Sequence, residues 1–320
     1  MRKRKDLRVI ELGGGDLVPR SSWRRKLLTA RQELLWYPWQ GRRRAAASGA
    51  NVYHCPTLRA PITRGRPPLV LTVHDLVPVL FPQTMSTWSR WYTRATLRSV
   101  IDAADMVVAV SQNTANDLNR LLKVSAERIR VVWSGVDEIF LAGPPAPSTR
   151  SPVELPYVLF VGTPEPRKNL PRLVEAMREL RSRGFRERLV IAGAGGWGNV
   201  SVSRDDAELL GAVSDEQLVN LYASASCVAL PSLYEGFGLT AVEAMAVGTP
   251  VVAAHAGSLP EVTGDAAVLV DPYDARSIAA GVERAILDRE KLIARGKERA
   301  KQFSWERAAA AMAAVYREVA

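Results

Sequence analysis

Pro-Ser-Leu-Tyr-Glu-Gly-Phe-Gly-Leu-Thr-Ala-Val-Glu-Ala-Met-Ala-Val-Gly-Thr-Pro-Val-Val, residues 231–252, is the stretch that decides the fold. The apolar run Ser226–Leu230 stops at Pro231, a helix opens near Gly238, and a second apolar run, Pro250–Ala254, follows. Runs of this length, joined by a helix, read as parallel strands with a crossover. The loop carries Glu235 and the helix carries Glu243 about five residues in. Gly236 and Gly238 bracket Phe237 and let the backbone approach something bulky. Free N–H groups at the start of the helix, from Gly238 and Leu239 onward, suit a phosphate or diphosphate. A carboxylate beside a bound nucleotide can accept both ribose hydroxyls. The same spacing also fits an ordinary strand, loop and helix with two solvent-facing glutamates.

Working outward, the alternation persists. Strand-like runs are Leu7–Leu12, Asn51–Cys55, Leu69–Val73, Met106–Val110 and Ile129–Trp133, with helical stretches near 21–35, 85–103 and 112–122. Beyond residue 150 they are Tyr157–Val161, Arg188–Ala192, Ser226–Leu230, Pro250–Ala254 and Ala267–Val270. This βαβα pattern predicts two parallel α/β sheets. Gly143–Pro152 is rich in proline and forms the natural linker, dividing the chain into domains at 1–142 and 153–320. Residues 198–214 lack a clear strand, and Trp305–Val319 is alanine-rich and helical.

The chain of 320 residues is 47% apolar and 24% charged, a composition that excludes wholesale disorder and supplies two cores. Its apolar runs fall short of the roughly 18 residues that span a bilayer, and the basic start, interrupted by Asp6 and Arg8, does not read as a secretory signal. A cytoplasmic protein is expected. Cys55 and Cys227 form neither a disulfide framework nor a metal motif, and read as buried thiols. The net charge of +10 is uneven: residues 1–150 carry 24 basic and 11 acidic side chains, residues 151–320 carry 19 and 22. The basic N-terminal region, with clusters at Arg2–Lys5, Arg24–Lys26 and Arg42–Arg44, would attract an anionic membrane surface; an ordinary solvated surface explains it equally well. No recognised module accompanies it, so no nucleic-acid partner is expected.

Three further places carry chemistry. Glu165-Pro-Arg-Lys-Asn169 puts Arg167 and Lys168 in the loop after a strand, where a bidentate donor and a point charge suit a diphosphate; taken alone, the pair fits two exposed basic residues in a loop at least as well. Gly193-Ala-Gly195-Gly-Trp-Gly198 matches the dinucleotide pattern literally, with Asp215 and Glu216 at the distance of a ribose contact. No helix opening follows it, so a glycine-rich loop near a nucleotide is the better reading. His74 stands at the carboxyl end of Leu69–Val73, an edge where ligands gather, although a lone histidine is more often structural or exposed than catalytic. Neither histidine spacing nor a D-x-D triple marks a metal site. Ser111 lies outside any G-x-S-x-G elbow and reads as a helix cap.

Together, E-G-F-G-L-x(3)-E at 235–243, E-P-R-K-N at 165–169, H-D-L at 74–76 and G-V-D at 135–137 resemble the family-4 retaining glycosyltransferases. The resemblance runs from about Asn51 to the end, through Val213–Leu218, Ser258–Glu261, Gly264–Ala267 and Phe303–Trp305. It implies a GT-B fold: two Rossmann-like domains with parallel sheets facing across a cleft, the last helix crossing back to the first. It implies a hexose moved, without metal or other cofactor, from a nucleotide-diphosphate sugar such as GDP-mannose or a UDP-sugar to a glycan or lipid-linked acceptor. Glu235 would then contact the sugar hydroxyls, Gly238 and Leu239 the diphosphate, and Glu243 the ribose. Gly236, Phe237, Gly193 and Gly195 would complete the donor site. Arg167 and Lys168 would neutralise the leaving diphosphate, and His74 would bond the transferred sugar. Such an enzyme would sit peripherally at the inner face of the plasma membrane.

Two departures stand out. The family's opening strand and glycine-rich loop are expected to be missing, because residues 7–15 read as a later strand and Gly13–Gly15 match that loop too weakly to replace it. Thr163 stands where many relatives carry an arginine. The alternative is a catalytically impaired, membrane-associated protein of the same fold.

Overall fold

The computed structural model describes residues 7–12, 32–143, 153, 156–195 and 202–320. The helix expected near 21–35 and the linker lie almost wholly outside these residues, as do Gly13–Gly15 and the end of the glycine-rich stretch, residues 196–198. The described chain forms two compact units. One holds the residues up to Leu80 with Met85–Val132 and Ala308–Ala320; the other holds Phe81–Thr84 and Trp133–Arg307.

The first unit has a four-stranded parallel sheet in the order β1 (Tyr53–Cys55), β2 (Leu69–Val73), β3 (Met106–Ala109), β4 (Ile129–Val131). After a π-helical run at Gln32–Gln40, its helices are α1 (Gly41–Ala47), α2 (Val77–Leu80), α3 (Thr87–Ala103) and α4 (Gln112–Leu122). Alternation along β2 sends Leu69, Leu71 and Val73 into a core shared with Leu97, Val100 and Ile101 of α3 and Leu118 of α4. Ser111 caps α4, its Oγ accepting the Thr114 N–H at 3.0 Å, and Ser86 caps α3 in the same way. Val70, Met106 and Val108 face the other side of the sheet, where Ala308, Met312 and Val315 of the C-terminal helix cover them.

In the second unit the strands are β5 (Tyr157–Val161), β6 (Arg188–Ala192), β7 (Glu208–Gly211), β8 (Cys227–Leu230), β9 (Val251–Ala254) and β10 (Ala267–Val270). The helices are α5 (Glu138–Ala142), α6 (Leu170–Ser182), α7 (Asp215–Ser224), α8 (Leu239–Val247), α9 (Leu259–Thr263), α10 (Ala275–Leu287) and α11 (Arg289–Ala300); α12 (Trp305–Val319) runs on to the end of the chain. The sheet order is β10-β9-β8-β5-β6-β7, all parallel. Counted from β5, this is the doubly wound order 3-2-1-4-5-6 of dinucleotide-binding folds. Val158 and Phe160 of β5 pack with Leu170, Leu173 and Met177 of α6 and Ile278 and Val282 of α10. Each large aliphatic side chain fully buried there stabilises the unit by about 1.5–3 kcal/mol.

Two expectations are corrected. Leu7–Leu12 is irregular and pairs with no strand among the described residues; Val9 and Ile10 remain 48% and 41% exposed. Residues 198–214 do hold a strand: β7 pairs with β6 at the sheet edge. Glu208 and Leu209 are exposed, so the edge strand lacks the apolar run by which buried strands are read. Both cysteines are buried and free, and burial pushes the Cys55 thiol up to about 11 and that of Cys227 to about 12.

His54 ties α12 to the first sheet. Its Nε2 lies 2.8 Å from Thr72 Oγ1 and its Nδ1 lies 2.8 Å from the Tyr316 hydroxyl. Burial drives its pKa down to about 4, and the nearby His74 pushes the same way. Between pH 4 and about 6.5 the unfolded chain therefore binds a proton that the folded one refuses, and stability rises with pH through this window. The expected contribution, on the order of 3 kcal/mol, is complete above pH 6.5 and lost on acidification towards pH 4. Denaturant titrations at pH 5 and 7.5 should show His54→Gln losing much of the wild type's pH dependence; an unchanged dependence would exclude His54 as its source.

Candidate functional site

In a doubly wound sheet, the loops after the two central strands diverge, because the chain leaves one strand in one direction and the other in the opposite direction. Here those strands are β5 and β8. The loop after β5 passes through a single 3₁₀ turn, Pro166–Lys168, and enters α6 through Asn169, which adopts a left-handed conformation at φ 58°. Asparagine tolerates that region better than most residues. Its side-chain amide donates to the carbonyls of Pro231 (3.0 Å) and Pro272 (2.6 Å), joining the loop to those that follow β8 and β10. The Leu233 N–H donates to the Arg167 carbonyl at 2.7 Å, so the two central loops are also joined through backbone.

On this frame the charges converge. Lys168 Nζ lies 2.6 Å from Glu235 Oε1, and Arg167 Nη1 lies 2.9 Å from Glu235 Oε2 and 2.9 Å from the Tyr234 carbonyl. Ser232 Oγ donates to Glu235 Oε1 at 2.7 Å, and Glu165 accepts from Arg167 Nη2 at 2.7 Å. All four charged side chains are largely buried. Burial alone would raise the Glu235 carboxyl. The Lys168 and Arg167 charges, with the hydrogen bonds from Lys168 and Ser232, instead hold it below the ordinary carboxylate range.

Glu243 lies one turn into α8 and has a contrasting environment. Its Oε2 accepts from the Tyr222 hydroxyl at 2.9 Å. Burial raises its carboxyl, opposed by that hydrogen bond and assisted by the charge of Asp215. The two carboxyls are thus pushed in opposite directions, Glu235 down and Glu243 up. Between them the chain turns through Gly238, at φ 97°, which precedes α8 and offers its first turn no side-chain cap. The amides there are consequently open to an anion. The Phe237 ring is buried and packs edge-on against Phe303 at 5.6 Å.

Gly193 and Gly195 diverge in role. A Cβ at Gly193 would sit 2.2 Å from the Gly162 carbonyl oxygen, so its smallness lets the ends of β6 and β5 meet. A Cβ at Gly195 would meet no atom of the described residues within 4 Å. Asp215 and Glu216, spaced for a ribose contact in the dinucleotide reading, form the first turn of α7.

His74 belongs to the first unit and is exposed at the carboxyl end of β2. Its Nε2 lies 2.9 Å from the Pro56 carbonyl, which can only accept; Nε2 therefore carries the proton and Nδ1 is left as the acceptor in the neutral ring. Sequence reasoning passed over four positioning residues: Glu165, Asn169, Ser232 and Tyr222. Glu165 and Asn169 flank the cations in the motif itself, whereas Tyr222 had no local signal. Among the described residues, no three His, Cys, Asp or Glu side chains gather as metal ligands would.

A family model described as "Glycosyl transferases group 1" matches residues 146–303, and one described as "Glycosyltransferase Family 4" matches residues 3–140. An O-antigen chain mannosyltransferase B from Escherichia coli is 35% identical over 80% of this chain and 71% of its own length. A D-inositol 3-phosphate glycosyltransferase from Saccharomonospora viridis is 35% identical over 68% of the chain, which spans only 57% of that relative. Among solved structures, sucrose-phosphate synthase from Thermosynechococcus elongatus superposes with a TM-score of 0.66 at 23% identity, covering 87% of this chain and 75% of its own. HepE of Anabaena, solved with UDP, gives 0.65 at 20%, covering 86% and 79%. The chain belongs to the family-4 glycosyltransferases, and its α/β architecture is GT-B, with two Rossmann-like units.

The two glycines provide a paired test. Gly193→Ala should destabilise the protein by about 1–3 kcal/mol, because the clash is with backbone that cannot turn aside. Gly195→Ala should leave stability within about 0.5 kcal/mol. Urea titration of both variants checks this, and equal losses would show that close approach is not what Gly193 provides.

Proposed function

We propose that this chain transfers a hexose, with retention of anomeric configuration and without a metal ion, from a nucleotide-diphosphate sugar to a glycan or lipid-linked acceptor. The observation that carries the reading is the convergence of Lys168 and Arg167 on Glu235, at the switch point of the sheet. As the sugar–phosphate bond breaks, negative charge grows on the departing diphosphate and positive charge on the sugar. Fixed cations and the first amides of α8, at Gly238 and Leu239, stabilise the former.

Without donor, Arg167 and Lys168 are balanced by Glu165 and Glu235. A diphosphate brings further negative charge to this neutral group. On our reading the two cations turn to the phosphates, and Glu235, relieved of them, accepts from the sugar hydroxyls. Glu243, held by Tyr222, takes the ribose. The acceptor hydroxyl attacks the anomeric carbon on the face the diphosphate is leaving; its proton passes to the departing phosphate oxygen as the new glycosidic bond forms. His74, with Nδ1 as acceptor, bonds the transferred sugar.

Two relatives, from E. coli and Mycolicibacterium hassiacum, are named mannosyltransferases, which supports GDP-mannose as donor. HepE crystals that hold UDP-glucose support a UDP-sugar instead. The O-antigen relative supports work in cell-envelope polysaccharide synthesis, and we place the reaction at the inner face of the plasma membrane. No described helix is long and apolar enough to cross a bilayer.

Calorimetry against GDP- and UDP-sugars should find at least one that binds. Transfer from it should fall about 10²–10³-fold in Lys168→Ala, which removes a stabiliser of the leaving group, and at least as far in Glu235→Ala. A panel in which no nucleotide sugar binds would overturn the proposal.

A further inference from the structure

The two glutamates that neutralise Arg167 and Lys168 are not equivalent. Glu235 accepts from Lys168 at 2.6 Å, from Arg167 at 2.9 Å and from the Ser232 hydroxyl at 2.7 Å. When both cations turn to a diphosphate, Ser232 still donates to Glu235, and on our reading the sugar hydroxyls take the vacated places. Glu165 has no such replacement. It is 6% exposed, and among the described residues its ion-pair partner is Arg167, whose Nη2 lies 2.7 Å from Glu165 Oε1. It stands directly before the 3₁₀ turn Pro166–Lys168 without a capping hydrogen bond from its side chain, so the carboxylate is committed to the guanidinium rather than to the turn. The backbone fixes it there, because the Lys168 N–H donates to the Glu165 carbonyl at 3.0 Å and closes the turn that carries both cations.

A diphosphate that draws on Arg167 leaves Glu165 in one of two positions. Either the carboxylate loses its cation while buried, which is costly, or it shares the cation and faces the phosphates as a like charge. Both oppose binding. We propose, resting on the donor reading, that Glu165 is a positioning residue that competes with the nucleoside diphosphate for Arg167 and so sets how readily the spent nucleotide leaves. A nucleotide sugar offsets part of this opposition, since its sugar hydroxyls satisfy Glu235. Once the sugar has been transferred, the nucleoside diphosphate has nothing to give Glu235, both carboxylates reclaim the cations, and the product is displaced. No covalent bond changes in this step; one set of ion pairs is exchanged for another.

The sign of one affinity change separates this role from a purely structural one. If Glu165 only oriented Arg167 for the phosphates, removing its charge would weaken binding; if it competes, removal strengthens it. The test is calorimetry on the full chain with GDP and with UDP. For whichever binds the wild type, Glu165→Gln, which keeps the volume and an acceptor but not the charge, should lower Kd about tenfold, the lower end of what close charge pairs are worth. Glu165→Ala, a second variant without the charge, should shift Kd in the same direction, and Glu165→Asp should bring it back towards the wild-type value. Glu175, an exposed carboxylate of α6 paired with Arg172 at 3.4 Å, supplies the control. Glu175→Gln makes the same change in net charge and should leave Kd within about twofold. Thermal unfolding by circular dichroism shows which variants keep the fold. Folded Glu165→Gln or Glu165→Ala protein that binds the diphosphate no more tightly than wild type overturns the proposal and leaves the donor reading standing. Equal tightening in Glu175→Gln reduces the effect to net charge and overturns it as well. A wild type that binds neither GDP nor UDP overturns the donor reading, and the role of Glu165 with it.

Discussion

Glu235 accepts from Lys168 and Arg167 at the point where the second sheet reverses its winding, and the site is organised around that contact. Buried ion pairs are a weak source of stability, because well-packed apolar side chains of similar volume commonly do as well. Removing one member, however, leaves a buried charge and costs about 3–5 kcal/mol. The loops are therefore committed to a cluster that stability alone does not require. What the cluster does supply is a pair of cations held in a fixed place, which on the proposed reading exchange one set of anions for another.

The surrounding structure serves that placement. Asn169 holds the loop after β5 against the loops after β8 and β10, and Glu165 holds the outer side of the Arg167 guanidinium. Gly193 lets the β6 end approach Gly162, and a Cβ on Gly162 would meet the Lys168 side chain at 3.6 Å, so the lysine lies directly over that backbone. The β6 end, the lysine and the carboxylate are thus linked in sequence. Glu243 is fixed separately, by a tyrosine from the preceding helix.

Much of this was legible in the sequence for a simple reason: parallel strands buried on both faces are continuous apolar runs, and the loops after them carry the polar residues. The runs at 157–161, 188–192 and 226–230 were visible at once, and with them the loops holding Arg167, Lys168 and Glu235. What escaped was whatever depends on a neighbour distant in sequence. Leu7–Leu12 reads as a strand yet pairs with no strand among the described residues, while β7 is a true strand whose exposed edge residues conceal it. Tyr222 reaches Glu243 across 21 residues, and His54 meets Tyr316 across 262.

On the proposed reading, the Arg167–Lys168–Glu235 cluster is where a nucleoside diphosphate is held. A crystal structure of the chain with GDP or UDP tests it most directly. Phosphate oxygens are expected within about 3 Å of Lys168 Nζ and of the first amides of α8, with the Lys168–Glu235 contact broken. A diphosphate bound elsewhere, with that contact still closed, would contradict it.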